Sequence, residues 1–547
     1  MNKLAEKILN FAVELTEVKS IVGTAGERDS TQKVWDRLSE MSYFKEHPDQ
    51  LYFVDVDGDS LKRNSVLAMV KGNKEDSQKT VVMIGHTDTV GTSDYGEIEA
   101  FATRPHELPD KYSQVHIPED ASKDLASGEY LFGRGIFDMK TGVSTLVHVL
   151  EVLSEQVDEL EGNVILAAVC DEEGNSGGML QVVPELLRLQ KEHGFEYQAM
   201  LDTDYSAPRF EGDQTRYLYI GTVGKLMPSF YVVGSEAHSG DPFRGIDPNH
   251  ISSAIMEEMD YNMEYAEEAE GEVTVPPSSL RQKDLKPEYS VQTAKTSFVY
   301  FNFSTHTSTP DELLEKVRAG ANKAFQKVVD RLTEQYRIYA KRSGFEFHEL
   351  PWKARVLTYA ELLDKVKAER GEEVDQRLDE LQQRLLADPT IDERDHAMQM
   401  VAQLHSLWSD QEPVVIAYYS PPYYPHIYVK DEMPKEKALL QAVEKALENC
   451  DSDYDIQMRK FYPYISDLSY AAAPREAGAV ESLQDNMPGF GVKYRLPLEE
   501  MRQLNLPVVN IGPFGKDAHK FTERVQKDYS YHVAPMLVLD TVKNLLD

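Results

Sequence analysis

Val81-Val82-Met83-Ile84-Gly85-His86-Thr87-Asp88 runs an apolar stretch straight into a histidine and an aspartate. A short apolar run of this kind reads as a buried strand over Val81–Gly85, with polar groups at its C-terminal end. The pattern recurs along the chain. Asn163–Cys170 is a continuous apolar run that ends in Asp171-Glu172-Glu173-Gly174. Tyr197–Leu201 runs into Asp202-Thr203-Asp204. Pro507–Ile511 leads, through a Gly-Pro-Phe-Gly loop, to Gly515-Lys516-Asp517-Ala518-His519. Between the first two strands, Gly133-Arg134-Gly135-Ile136-Phe137-Asp138-Met139-Lys140 opens a helix over Thr141–Leu150. Helical spacing at 3–18, 29–40 and Gly177–Leu189 alternates with the strands. This alternation predicts a three-layer α/β core, whose site sits at strand C-terminal ends.

The pattern changes after residue 213. Arg216–Ile220 and Leu226–Val233 read as strands of an antiparallel pair. Pro248–Tyr265 reads as a helix, Thr296–Ser304 as a strand, Asp311–Lys341 as a long helix and Pro413–Tyr419 as a strand. Gly271–Pro287, with Pro276-Pro277, reads as a loop. Such an order belongs to a small α+β sandwich. An extra charged, helical stretch interrupts it at 342–412, and its composition favours a solvated helical hairpin over a partner-binding arm. From Glu436 the α/β pattern returns, with a helix at Ala438–Glu448, the Pro507–Ile511 strand and a closing helix at Tyr531–Leu546. The expected domains are therefore 1–213 and 426–547, forming one α/β domain, with 214–425 inserted.

Composition narrows the function. The formal net charge is -35 over 547 residues, which repels phosphate backbones and anionic membrane surfaces. No apolar run approaches the roughly 18 residues of a membrane span. Two cysteines, Cys170 and Cys450, build no disulfide framework, and the charged N-terminal helix lacks the features of a signal peptide. A cytoplasmic location is expected.

The strand-end residues supply two imidazoles and at least four carboxylates, a set that suits Zn²⁺ or Co²⁺. His86 and Asp88 point to one side of an extended chain, so one can bind metal while the other fixes its tautomer. Asp138 can bridge two cations or cap the following helix. Glu172 and Glu173 diverge, which suits one metal ligand and one general base. Asp202 and Asp204 share one side, and either can be a ligand. His519 and His238, the latter in Ala237-His238-Ser239-Gly240, are ordinary loop histidines unless the fold brings them to the others.

In order and spacing these motifs resemble the M20 metallopeptidase family of co-catalytic zinc amidohydrolases. The resemblance rests chiefly on Gly85–Asp88, Gly133–Lys140 and Asp171–Gly174. Length, the large insertion and the acidity further resemble its arginine-utilisation, RocB-like branch. The resemblance implies a zinc-exopeptidase-like catalytic domain with an inserted α+β lid. It implies that His86 and Asp204 bind one metal, Glu173 and His519 the other, and Asp138 both. Asp88 would orient His86, Glu172 would be the general base, and His238 would polarise the scissile carbonyl, often from the partner subunit of a homodimer. The cofactor would be two divalent ions, Zn²⁺ first, with Co²⁺ or Mn²⁺ as alternatives.

Two departures stand out. The late lid strand, Tyr300-Phe301-Asn302-Phe303-Ser304-Thr305-His306, lacks the arginine that often grips a substrate carboxylate in the family. Asn302, Ser304 or His306 would have to replace it, without bidentate pairing. Asp204 stands where the family has glutamate, which shortens its reach. The expected activity is hydrolysis of an amide in a small peptide or N-acyl amino acid, linked by the RocB-like resemblance to arginine catabolism. The rival expectation is a non-catalytic relative that binds a metabolite or partner.

Overall fold

The computed structural model describes residues 3–474 and 478–547. They form two compact units. One comprises Met1–Val223, Ile427–Ala473 and Pro497–Asp547; the other comprises Gly224–His426 and Pro474–Leu496.

The first unit is built on an eight-stranded mixed sheet. Its order is Leu51–Asp55, Asn64–Lys71, Asn163–Val169, Lys79–His86, Glu196–Asp202, Val508–Asn510, Arg216–Tyr219 and Ile456–Arg459. The Lys79–His86 strand pairs in parallel with Asn163–Val169 and Glu196–Asp202. In register, His86 lies opposite Val169 and Ile84 opposite Asp202, so three polar strand ends finish side by side. Helices Lys3–Glu17, Gly26–Ser39, Thr141–Ser154, Pro434–Glu448 and Ala534–Leu546 share one apolar cluster with Val81, Met83, Leu166 and Leu201 of the sheet. The alternate residues Ile84 and Ile165 face the other way. Helix Gly177–His193, which buries Met179, Val182 and Leu186, covers that second face. The three-layer α/β expectation holds.

Arg216–Tyr219 corrects the sequence reading. It does not pair with the 226–233 stretch but joins the core sheet, parallel to Ile456–Arg459. Tyr217, Leu218 and Tyr219 are buried there, and a run buried on both faces carries no alternation to reveal its partner. The boundary between units accordingly falls at Val223 rather than near 213. The Pro474–Leu496 segment groups with the second unit, where Asn486 Oδ1 accepts the N–H of Ala360 at 3.1 Å.

The second unit has a sheet in the order Ser278–Asp284, Thr296–Thr305, Pro228–Val233, Val414–Tyr419 and Val356–Thr358. Helices Pro248–Met259 and Pro310–Ser343 pack with each other and with this sheet. Ser278–Asp284 overturns the reading of Gly271–Pro287 as a loop. It is a polar edge strand on Thr296–Thr305, and Ser-Ser-Leu-Arg-Gln-Lys-Asp offers no hydrophobic period to find it by. The 342–412 stretch is not a solvated hairpin either. Helices Tyr359–Arg370, Glu373–Leu386 and Glu393–Leu407 bury Leu362, Val366, Leu381, Val401 and Leu404 against Tyr231, Val233, Ile416 and Tyr418 of the sheet. Charge on their outer faces hid a genuine apolar stripe.

Candidate metal centre

His86 closes its strand with the ring buried. Its Nδ1 lies 3.1 Å from the Asp88 carbonyl oxygen, and its Nε2 lies 3.0 Å from Asp138 Oδ1. A carbonyl only accepts, so Nδ1 carries a proton, and Nε2 is the nitrogen that faces the centre. Asp88 therefore holds His86 through its backbone. Its carboxylate oxygen Oδ1 is 3.7 Å from Nδ1 and accepts the Glu172 N–H at 3.2 Å, while Oδ2 accepts the Glu173 N–H at 3.0 Å.

Asp138 sits in the turn between Gly135, at φ 83°, and the Thr141–Ser154 helix. A Cβ on Gly142 would lie 2.2 Å from the Thr203 carbonyl oxygen, so glycine lets this helix start directly against the Asp202–Asp204 strand end. Asp138 Oδ2 lies 3.0 Å from His519 Nε2. The same nitrogen lies 2.9 Å from Glu173 Oε1. One buried carboxylate thus stands between two imidazoles that are far apart in sequence. His86, Asp138 and Glu173 each present a ligand atom, all within 4.8 Å of one another. Glu172 Oε2 is 4.0 Å from His86 Nε2.

The electrostatics describe a site crowded with negative charge. Burial works against ionised Asp138, yet the imidazoles hold it well below the usual carboxylate range. Burial also opposes charge on His519, but Asp138 and Glu173 lift it to about 11. Burial, then neighbouring acids, raises Glu172, Glu173 and Asp204. Asp202 is pushed up to about 6 and Asp467 to about 8, again chiefly by burial. Divalent cations would neutralise this set, and imidazole with carboxylate is a donor chemistry that fits them.

Of the two rival aspartates, Asp202 accepts from Ser466 Oγ at 2.7 Å and from the Thr203 N–H. Asp204 accepts from the Tyr205 N–H at 2.8 Å through Oδ1. Burial, then the charges of Asp138 and Asp202, raises it. His238 lies in the second unit, exposed, and is not part of this cluster.

Sequence reading missed the supports. Glu523, fully buried, accepts the N–H groups of Gly135, Phe137 and Asp138 and pairs with Arg134 at 2.8 Å. It thereby shapes the turn that aims Asp138. The signal was Arg134 itself, since a charge inside a Gly-Arg-Gly turn calls for an acid. Lys140 donates to the carbonyls of Leu15 and Val18, and burial lowers it to about 7. Arg63 joins Asp59, Glu27 and Asp171 beneath the Glu172–Glu173 turn. Its partners are scattered in sequence, so no spacing announced them.

Residues 82–532 match the model of Peptidase family M20/M25/M40. The chain is 35% identical over 546 residues to Protein RocB of Bacillus subtilis (strain 168), covering 99% of this chain and 95% of that protein. Its fold is similar to the di-peptidase Dug1p from Saccharomyces cerevisiae, with a TM-score of 0.53 at 11% identity over 100% of this chain and 97% of that one. It is also similar to an M20 family metallo-carboxypeptidase from Sulfolobus solfataricus, with a TM-score of 0.50 at 11% identity over 100% of both chains. The match takes in the His86 strand and the His519 loop alike: the chain belongs to Peptidase family M20/M25/M40 and is an enzyme of the M20 metallopeptidase and amidohydrolase type.

Proposed function

We propose that this enzyme hydrolyses an amide bond in a small peptide or an N-acyl amino acid, using two divalent cations. The reading is carried by one observation: the Asp138 carboxylate stands between His86 and His519 at 3.0 Å from each. His86 and Asp204 would hold one ion, Glu173 and His519 the other, and Asp138 both. Zn²⁺ suits the set best, and Co²⁺ or Mn²⁺ would serve. When bound, the ions supply Lewis acidity, which makes water a nucleophile near neutral pH and stabilises a developing oxyanion.

The chain's own groups do the rest. Glu172, half-buried and raised in pKa chiefly by desolvation, accepts a proton from the attacking water on a carboxylate oxygen. It returns that proton to the leaving nitrogen as the C–N bond breaks. Asp88 keeps Glu172 and Glu173 in place through their backbone N–H groups. His238 accepts the Gly240 N–H at Nδ1, 3.0 Å away, so a neutral ring carries its proton on Nε2. That N–H is the donor an oxyanion needs. It would reach the carbonyl by closure of the second unit as a lid, or from the partner subunit of a homodimer.

The substrate class follows the family, and full-length similarity to RocB makes arginine-derived amides the first to screen. A cytoplasmic enzyme is consistent with a chain in which no described helix is long and apolar enough to cross a membrane. The test pairs metal analysis with turnover of N-acyl amino acids and dipeptides, arginine derivatives included. Two ions per chain are expected, lost together in Asp138→Ala, and turnover should require them. Two ions retained at full occupancy in Asp138→Ala would remove Asp138 from the bridging role. Full turnover by metal-free enzyme would overturn the reading.

A further inference from the structure

The Pro310–Ser343 helix is 34 residues long, about 50 Å at the α-helical rise. It opens with a full capping box at Thr309 and Glu312, and its buried face runs from Pro310 to Val329. Beyond that point Ala340 is the one further buried residue of the helix. Most helical stability comes from a packed apolar face, so a terminal extension without one needs another reason to persist. The extension carries Tyr336 and Tyr339, and Phe243 packs against both. Ring centroids are 5.1 Å apart for Phe243 and Tyr336, and 5.3 Å for Phe243 and Tyr339, the second pair stacked. After Gly344, in the left-handed conformation at φ 77°, the chain folds back and sets Phe345 against both tyrosines. Phe347 adds a further contact to Tyr336.

Phe243 belongs to the same closed loop as His238. The loop is pinned at its base by reciprocal backbone hydrogen bonds between Ser235 and Ile246, each 3.0 Å. Its first arm is held by Thr293, whose N–H donates to the Ala237 carbonyl, and by the Ser239 N–H, which donates to the Val291 carbonyl. His238 and Gly240 stand at the turn, linked by the hydrogen bond that sets the histidine's tautomer. The second arm, Asp241–Gly245, carries an exposed Asp241–Arg244 ion pair, which stabilises little. Phe243 ties this arm to the helix extension.

We infer that Phe243, clasped by Tyr336 and Tyr339, is a positioning residue for His238; the inference rests on the oxyanion role proposed for that histidine. The clasp holds the arm that follows Gly240, and so keeps the Gly240 N–H on His238 Nδ1. A loosened arm lets the ring turn and lets the proton move to the wrong nitrogen. Binding of substrate by other groups is unaffected, so the cost falls on the transition state.

The experiment uses the full-length, metal-loaded enzyme with the best substrate from the screen. Phe243→Ala should lower kcat about tenfold while KM stays within about twofold, the signature of an interaction made in the transition state. Amide exchange over residues 236–246 should rise by about tenfold, reporting local opening without reference to activity. Phe243→Tyr should restore both, and Tyr336→Ala/Tyr339→Ala should reproduce the loss from the other side of the clasp. In a His238→Ala background, Phe243→Ala should cost nothing further, because the two act as one unit. Unchanged exchange in Phe243→Ala overturns the clasp, as does an additive loss in the double variant. If His238→Ala is inactive while Phe243→Ala keeps full kcat, the clasp fails and the role of His238 stands. If His238→Ala keeps its turnover, the role of His238 fails and the inference goes with it.

Discussion

The carboxylate of Asp88 receives the backbone N–H of Glu173 at 3.0 Å, and its other oxygen receives that of Glu172 at 3.2 Å. The residue expected to steer His86 by its side chain steers it by its carbonyl, and spends its side chain on the two glutamates. One aspartate therefore couples the histidine strand to the paired acids. Asp88→Asn keeps the size but turns one oxygen into a donor that faces an N–H. The expected result is a loss of about 10- to 100-fold in metal affinity or turnover, the usual range for groups that orient ligands. Metal titration by calorimetry alongside steady-state kinetics would check it; wild-type values in both would leave the two N–H contacts without consequence.

Glu172 touches the cluster only at 4.0 Å from His86, whereas Glu173 hydrogen-bonds His519 directly. Glu172→Gln should keep metal content and unfolding temperature, and lose about 10²- to 10⁴-fold in kcat as a missing general base does. Inductively coupled plasma analysis of the same preparation used for kinetics separates the outcomes. Metal lost with activity would exchange the roles of Glu172 and Glu173.

Arg63 is mostly buried and pairs with Glu27, Asp59 and Asp171. Glu27 is fully buried, and burial followed by the charge of Asp88 pushes it up to about 8 even with Arg63 beside it. Arg63→Met would leave three acids without their cation. Breaking a buried pair from one side costs about 3–5 kcal/mol. Thermal unfolding should therefore shift down by several degrees, and metal affinity should fall with it because Asp171 leads directly into the Glu172–Glu173 turn. An unfolding temperature equal to wild type would show that the three acids are neutralised some other way.

Acid should weaken the second unit. His396 has no measurable exposure, and neither ring nitrogen has a hydrogen-bond partner among the described residues. Burial lowers it to about 4, with Lys493 adding to the effect and Glu393 opposing it. His405, packed against Tyr231 and Trp408, is lowered to about 4 by burial and by Lys295 and Arg355, against Asp410. Both histidines bind protons more readily unfolded, near pH 6.5, than folded. The unfolded chain thus carries more protons between pH 4 and 6.5, so stability rises with pH there and is lost as pH falls through that window. Differential scanning calorimetry should show the unit's transition moving down from pH 6.5 to 4, and His396→Leu/His405→Phe should flatten the slope. An equal slope in the double variant would assign the acid sensitivity to other groups.

Much of the catalytic half was legible without coordinates. A strand buried on both faces is a continuous apolar run, and the fold class places chemistry where such runs end, so His86, Glu172, Glu173 and the Asp202–Asp204 pair stood out as candidates at strand ends, while Asp138, in a turn, and His519, in a loop, took their roles from the family resemblance. The sequence determined which groups were available and on which elements. It could not tell the two aspartates of the 202–204 pair apart, because both share one side of the strand, and the Ser466 hydroxyl that donates to Asp202 lies more than two hundred and fifty positions away. Nor could it find Arg63 under Asp171, Glu523 under Asp138 or Phe243 between two tyrosines. Those partners meet only after chain reversal, and an ion pair or ring stack leaves no periodic trace. Arg216–Tyr219 and Ser278–Asp284 mark the same limit for the fold: one is buried on both faces and the other is polar at an edge, so neither carries the alternation that assigns a strand to its neighbour. Local pattern decided the elements and their chemistry, and long-range packing alone decided which of them touch.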